Sequence, residues 1–191
     1  MTLAKSRKLW PWVVVAVVVA ASVYQLRAQG RLWFCACGYL LPWSSDAWSA
    51  DNSQHLFDPY SFTHVLHGFI FWWLLAWILP RASVAWRFCL TISLEALWEV
   101  VENTDFVIRH YRETTQALGY QGDTVVNVLG DILTCGFGFL LAWRLGFRRT
   151  LALFILTEVV LLVWIRDSLL LNILMLVYPL EGIKAWQAGH G

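Results

Sequence analysis

The sequence predicts an all-α protein, a polytopic transmembrane helical bundle of about five spans, each near 20 residues long. Two observations carry that expectation. Of 191 residues, 59% are hydrophobic and only 14% charged, and the mean hydropathy is +0.57. These values suit a multi-pass membrane protein and not a soluble domain. The apolar residues are also gathered into runs near the length of a bilayer crossing, separated by short polar or basic turns. That leaves room for a single integral membrane domain over residues 1–191. A net charge of +1 gives no basic surface for nucleic acid. Thirteen Trp and six Tyr suit the membrane–water boundary, where amphipathic rings anchor span ends. The partner these properties name is the lipid bilayer.

Taken in order, Lys5, Arg7 and Lys8 precede an apolar run over 9–26. A basic start before an apolar run also fits a cleaved signal peptide, but no convincing small-x-small cleavage site follows before Arg27, and the run is long enough to span. It is read as an uncleaved first helix with a cytoplasmic N-terminus. Segment 25–62 holds no spanning run, and the positive-inside rule places it outside. The second span is 63–79, stopped by Pro80, with Arg81 and Arg87 marking a cytoplasmic turn. The third runs over 84–105 and leads to a polar outer loop over 106–122. Asp123 is expected to cap the fourth, 123–145, and Arg144, Arg148 and Arg149 mark the next cytoplasmic turn. The fifth, 150–165, carries Glu158. The apolar segment 168–178 is too short to cross and is expected as a re-entrant or surface helix, with the tail 179–191 as an exposed outer end.

Acids stand where an apolar chain should have none. Glu95, Glu99 and Glu102 fall at i, i+4 and i+7, on one face of the third helix. Asp123, Asn127 and Asp131 follow at i, i+4 and i+8 on the next. Each ionised group at a bilayer centre costs about 2.5 to 3.5 kcal/mol on insertion scales, so such groups must be paired, protonated or facing water inside the protein. His55 in the outer loop, His64 and His67 at the start of the second helix, and Arg166, Asp167 and Asn172 after the fifth fall on the same side. Polar residues collected in one half describe an outward-facing, water-accessible pocket.

Three chemistries stay open for that pocket. His64 and His67 sit at i, i+3, as do Glu99 and Glu102, a spacing that places paired ligands on facing helices for a divalent metal. No HExxH or ExxH motif accompanies them. As an acid/base centre, His64, His67, Glu99, Glu102 and Asp123 would move protons to and from a substrate. Asn127 would orient them, Arg166 with Asp167 would close the side and hold a phosphate, and His55 would contribute from the loop. The structural reading makes the same groups an interhelical clasp. A proton path is poorer, because the cytoplasmic half offers only Glu158 and Glu95 as stations.

Neither GxSxG nor SxxK is present to support a serine nucleophile. Cys35 and Cys37, two residues apart, are expected to resist mutual bonding and read equally as a loop pair, a metal pair or a redox pair. Cys89 and Cys135 read as packing residues, and Gly130, Gly136 and Gly138 as points of close helix approach.

The runs NSQH over 52–55, SFTHVLHGF over 61–69, EALWEVVENTD over 95–105, GDTVVN over 122–127 and YPLEGIKAWQAG over 178–189 resemble an uncharacterised protein family of bacterial multi-pass inner-membrane proteins. The resemblance covers most of the chain after the first helix and implies a bacterial inner-membrane location. A more distant likeness is to VanZ-like membrane proteins, which share a His-bearing helix, a Glu-bearing helix and a D-x-x-x-N-x-x-G element, here Asp123, Asn127 and Gly130. That likeness implies a shared polar centre of His64 or His67, Glu99 or Glu102, Asp123 and Asn127. The expectation is a site that binds a lipid or lipid-linked small-molecule substrate of the outer leaflet, with modification of that substrate as its catalytic form. The alternative is a non-catalytic assembly or stabilising protein whose cluster is internal glue.

Overall fold

A computed structural model describes residues 3–115 and 119–189, with side chains from Leu9 onward. The basic side chains at Lys5, Arg7 and Lys8 and the last two residues of the tail lie outside that description. The described residues form eight helices and no strand. They are α1 (Leu3–Ala28), α2 (Ser61–Ile78), α3 (Val84–Glu102), α4 (Asp105–Thr114), α5 (Val125–Leu145), α6 (Phe147–Trp164), α7 (Leu169–Val177) and α8 (Glu181–Ala188). Three of them, α1 from Leu9, α2 and α5, are long and apolar enough to cross a membrane. Helix α3 carries Arg87, Glu95, Glu99 and Glu102, which dilute its apolar character. Helices α6 and α7 together are apolar enough but bend by 71° at the break between them.

Helix α5 is the axis of the bundle. One side joins Val125, Val128 and Ile132 to Leu26 of α1 and Ile92 and Ala96 of α3. Farther along, Ala142 packs with Leu66 and Phe69 of α2, Phe154 of α6 and Leu169 of α7. The approach of α2 to α5 is backbone to backbone. A Cβ on Gly68 would strike the Cys135 carbonyl, and one on Gly138 would strike the carbonyl of Val65. Gly130 gives the same close approach to Leu56 of the 29–60 segment, whereas Gly136 faces Phe88 and Ile92 of α3. Such close backbones bring many atoms into van der Waals contact along the crossing.

The 29–60 segment lies over the N-terminus of α5 and takes up its free donors. Thr124, Val125 and Val126 N–H groups donate to the carbonyls of Ser53, Leu32 and Trp33. The cap of α5 is Thr124, whose hydroxyl accepts from Asn127 N–H, and not Asp123, which is turned toward Asn103. Within the segment Cys35 and Cys37 are joined by a disulfide with their Cα atoms 5.1 Å apart. Of the three readings open for this pair, the structure has the bonded one, despite the close spacing that counted against it.

The expected outer loop over 106–122 contains α4. Thr104 caps it by accepting from Val107 N–H, and Val107, Ile108 and Tyr111 are its buried stripe. The signal was in the sequence as a Thr-Asp start followed by apolar residues at helical spacing. Helix α7 follows α6 because Glu158, buried in α6, accepts from the Leu169 and Leu170 N–H groups at 3.0 and 3.2 Å. A carboxylate on free N–H groups at a helix N-terminus is favourable, which gives Glu158 a structural partner in place of a relay role. The tail also folds back as α8, where the Trp186 carbonyl accepts from Arg166 and Gln187 Nε2 donates to the Arg166 carbonyl.

Candidate functional site

Helices α2 and α3 run in opposite directions, with the start of α2 level with the end of α3. At about 1.5 Å per residue, His67 lies roughly 9 Å into α2 and Glu95 roughly 10 Å back from the end of α3, so the two come level. The Nδ1 of His64 is 2.5 Å from Glu95 Oε1, and the Nδ1 of His67 is 3.0 Å from Glu95 Oε2. An ionised carboxylate only accepts hydrogen bonds, so both rings donate to it from Nδ1 and turn Nε2 the other way. Glu95 is fully buried and His64 nearly so. Helix α5 completes the group with Asp131. Its Oδ1 accepts from Ser61 Oγ at 2.9 Å, and its Oδ2 stands 3.8 Å from His64 Nε2. Glu99 is fully buried, 3.3 Å from His64 Nδ1 but off the line of a hydrogen bond, and neither of its oxygens has a hydrogen-bond partner among the described residues.

His64, His67 and Asp131 of this group form the floor of a cavity of about 1110 Å³, and Glu95 and Glu99 are buried beside them outside its lining. His64, His67, Asp131, Asp58, Asp123 and Asn127 supply polar lining, and Ile70, Phe71, Leu94, Leu97, Val101 and Ile173 form an apolar wall. Leu94, Leu97 and Val101 are also exposed on the surface of the bundle. The cavity therefore joins a titratable floor to a wall continuous with the outside of α3. The disulfide between Cys35 and Cys37 lies at its rim.

A second polar layer sits nearer the loop segments. Asp123 accepts from Asn103 Nδ2 at 2.7 Å and from Tyr120 Oη at 2.9 Å, while its own N–H donates to Asn103 Oδ1. Asp58 accepts from the N–H groups of Ser53 and Tyr60 and from Asn127 Nδ2. Burial pushes both carboxyls above the usual range, against the pull of these hydrogen bonds. Satisfied in this way, the layer ties the 29–60 segment, α3 and α5 together.

Of the residues singled out in the sequence, His64, His67, Glu102, Asp123, Asn127 and Asp167 line the one cavity, and Glu99 lies buried beside His64. Glu102 stands a turn away from the histidines, facing Tyr111 and Trp98, and its oxygens are not among those that converge with theirs. The proposed metal quartet of His64, His67, Glu99 and Glu102 is thus corrected. The ligand atoms that lie within 4.8 Å of one another belong to His64, His67 and Glu95, and to His64, Glu99 and Asp131. Arg166 leaves the site, because its guanidinium donates to the Trp186 carbonyl and rests over the Trp186 ring. His55 is buried outside the cavity, where Nδ1 accepts from Leu41 N–H and Nε2 faces Asp51 at 3.4 Å. With Nδ1 accepting, the neutral ring carries its proton on Nε2 and is no ligand there, and the two nearby thiols are spent on each other. Asp167 accepts from Tyr60 Oη at 3.1 Å, so it belongs to the cavity side.

Glu95, Asp131, Asp58 and Tyr60 were missed as site residues. Glu95 and Asp131 carried a signal, since each lies on the acid-bearing face of its helix. Pairing them with the histidines required the register of α2 against α3 and α5.

Residues 26–189 match the family described as a protein of unknown function, DUF2585. A UPF0314 protein of Sphingopyxis alaskensis is 44% identical over 178 residues, covering 93% of this chain and 95% of that protein. UPF0314 proteins of Paracoccus denitrificans and Brucella anthropi are 41% and 40% identical, covering 93% and 92% of this chain and 91% and 89% of those proteins. No solved structure matches.

Proposed function

The chain belongs to this bacterial family of unknown function, and from that premise we propose that it is a multi-pass inner-membrane protein whose cavity binds a lipid or lipid-linked small molecule from the outer leaflet. In this reading α1, α2, α3, α5 and α6 cross the bilayer, the N-terminus is cytoplasmic, and the 29–60 segment with α4 lies outside. The observation that carries it is the cavity itself, with polar floor and apolar wall meeting in one space of about 1110 Å³. That pairing suits an amphipathic molecule, whose polar end would meet His64, His67 and Asp131 while its chains follow Leu94, Leu97 and Val101 into the surrounding lipid. His67, its ring held through Nδ1 by Glu95, lines the cavity and is positioned to take a proton through Nε2 from a bound hydroxyl or a water. The VanZ-like likeness draws on the same His-bearing, Glu-bearing and Asp-x-x-x-Asn elements.

The experiment is photo-crosslinking in membranes with a diazirine-bearing phospholipid. Labelling that maps to α3 near Leu97 and falls on Leu97→Trp, which would fill the wall, supports the reading. Equal labelling of both proteins would refute it.

The assembly reading is favoured by the second layer alone. Asn103 with Asp123, and Asp58 with Asn127, form a satisfied clasp between segments. We assign Asp123 and Asn127 to that clasp, which holds the floor in shape, and keep His64, His67, Glu95, Glu99 and Asp131 as the chemical centre.

A further inference from the structure

We infer that His64, Glu99 and Asp131 hold a divalent first-row transition ion, of the zinc or manganese type, at the floor of the cavity. Glu95 serves as the positioning residue that turns His64 toward it. The inference deepens the proposed function and rests on that cavity being open to a substrate.

Four observations support it. The first is Glu99, which is 0% exposed and has two oxygens without a hydrogen-bond partner among the described residues. Its near neighbour His64 Nδ1, at 3.3 Å, is already engaged by Glu95, and a buried carboxylate without hydrogen bonds is costly enough that natural proteins rarely retain one without a counter-ion. The second is Asp131, whose Oδ1 is held by Ser61 while Oδ2 is directed at His64 Nε2 from 3.8 Å. That distance is too long for a hydrogen bond. It fits two ligands on one ion, which stand roughly 3 to 4 Å apart when each bond is about 2.0–2.2 Å. One ligand atom from each of His64, Glu99 and Asp131 lies within 4.8 Å of the others.

The third observation is the contact of His64 Nδ1 with Glu95 at 2.5 Å. A carboxylate on one ring nitrogen fixes the tautomer, aims the other nitrogen and raises its basicity, the arrangement that surrounds metal-bound histidines. The fourth is charge. Glu95, Glu99 and Asp131 are all buried, and among the described residues the potential cations grouped with them are the imidazoles of His64 and His67. A dication offsets two of those carboxylates without protonating them. The imidazole among the ligands favours zinc or iron over calcium and magnesium, the two carboxylates also suit manganese, and three protein ligands leave positions free on the cavity side. Such an ion would bind the phosphate or ester oxygen of an amphipathic substrate.

The test is metal analysis of the full chain purified in detergent, dialysed against zinc chloride or manganese chloride and then against metal-free buffer. Alongside wild type run Glu99→Gln, Asp131→Asn, Glu95→Gln and, for the loop cluster, Asp51→Asn. We expect one equivalent of zinc or manganese in wild type and in Asp51→Asn. Affinity should fall about 10- to 100-fold in Glu95→Gln, and retained metal should be lost in Glu99→Gln and Asp131→Asn. Because a variant can fail to fold, wild type also carries its own check, in which zinc chloride raises its unfolding midpoint and a chelator reverses the rise.

Metal-free wild type with no zinc-dependent shift overturns the inference. So does full retention in both Glu99→Gln and Asp131→Asn, or loss confined to Asp51→Asn. Phospholipid extracted from the same samples separates the two claims. Metal without lipid supports the ion site and counts against the lipid reading, whereas lipid without metal overturns the ion site and leaves the lipid reading standing.

Discussion

His64 and Glu95 meet at 2.5 Å through Nδ1 and Oε1, and that contact joins α2 to α3 inside the bundle. Since His67 shares the same carboxylate, Glu95 is the acceptor for two rings at once. Replacing it with Ala takes the acceptor from the buried ring N–H of His64, at about 1–3 kcal/mol, and from the half-buried one of His67, at less. Glu95→Gln keeps a carbonyl acceptor and should lose clearly less. Thermal unfolding of both variants in one detergent checks this, and an Ala variant as stable as wild type would show that the pairing contributes nothing.

The contact of α2 with α5 depends on the absence of side chains at Gly68 and Gly138. A methyl group at either would press on a backbone carbonyl, which cannot swing aside as a side chain would. Gly68→Ala and Gly138→Ala should each destabilise by about 1–3 kcal/mol through forced separation of the helices. Gly182→Ala, where no atom lies within 4 Å of the added carbon, serves as the control and should be near neutral. Unfolding midpoints that do not distinguish the three would contradict the close approach.

Asp58 gives a pH dependence whose sign is fixed. Burial raises its carboxyl above the usual value in the folded protein, so the folded state binds a proton more tightly than the unfolded chain. Its contribution to stability is complete below the unfolded value of about 3.9 and is lost as pH rises through the higher folded one. Asp58→Asn cannot titrate. The unfolding midpoint of wild type, relative to that variant, should therefore fall as pH is raised upward from about 4. A relative midpoint that rises with pH would mean that the carboxylate is the favoured form.

Tyr111 links α4 to α7 through a hydrogen bond from its Oη to Asn172 Oδ1 at 2.8 Å. Tyr111→Phe removes the donor with little change of shape and should cost about 1 kcal/mol. Amide exchange should quicken in α7 and α4 and stay unchanged in α5. Uniform quickening would place Tyr111 in the global core.

Much of the site was legible because acids and histidines in apolar helices are conspicuous. Glu99, His64, His67 and Asp123 were singled out by spacing alone, and the structure brings them to one end of the bundle. What spacing left open was depth. Glu102 and Glu95 lie on one face of α3, yet only the second meets the histidines, because the level of contact is set by where antiparallel helices start and stop. Arg166 was misplaced for a related reason. Its side chain is claimed by α8, a helix formed in a tail that reads as polar and exposed.

The sequence by itself determined the helical class, the apolar segments and the presence of titratable groups on their faces, because these follow from hydrophobic periodicity and from the cost of charge in an apolar medium. Only the tertiary structure decided which groups meet. The seating of α2 on α5 at Gly68 and Gly138, the 71° bend after α6 and the laying of the 29–60 segment over α5 are contacts between residues far apart in the chain. Local pattern encodes none of them, since each is fixed by the complementary shapes of two surfaces that exist only once both have folded.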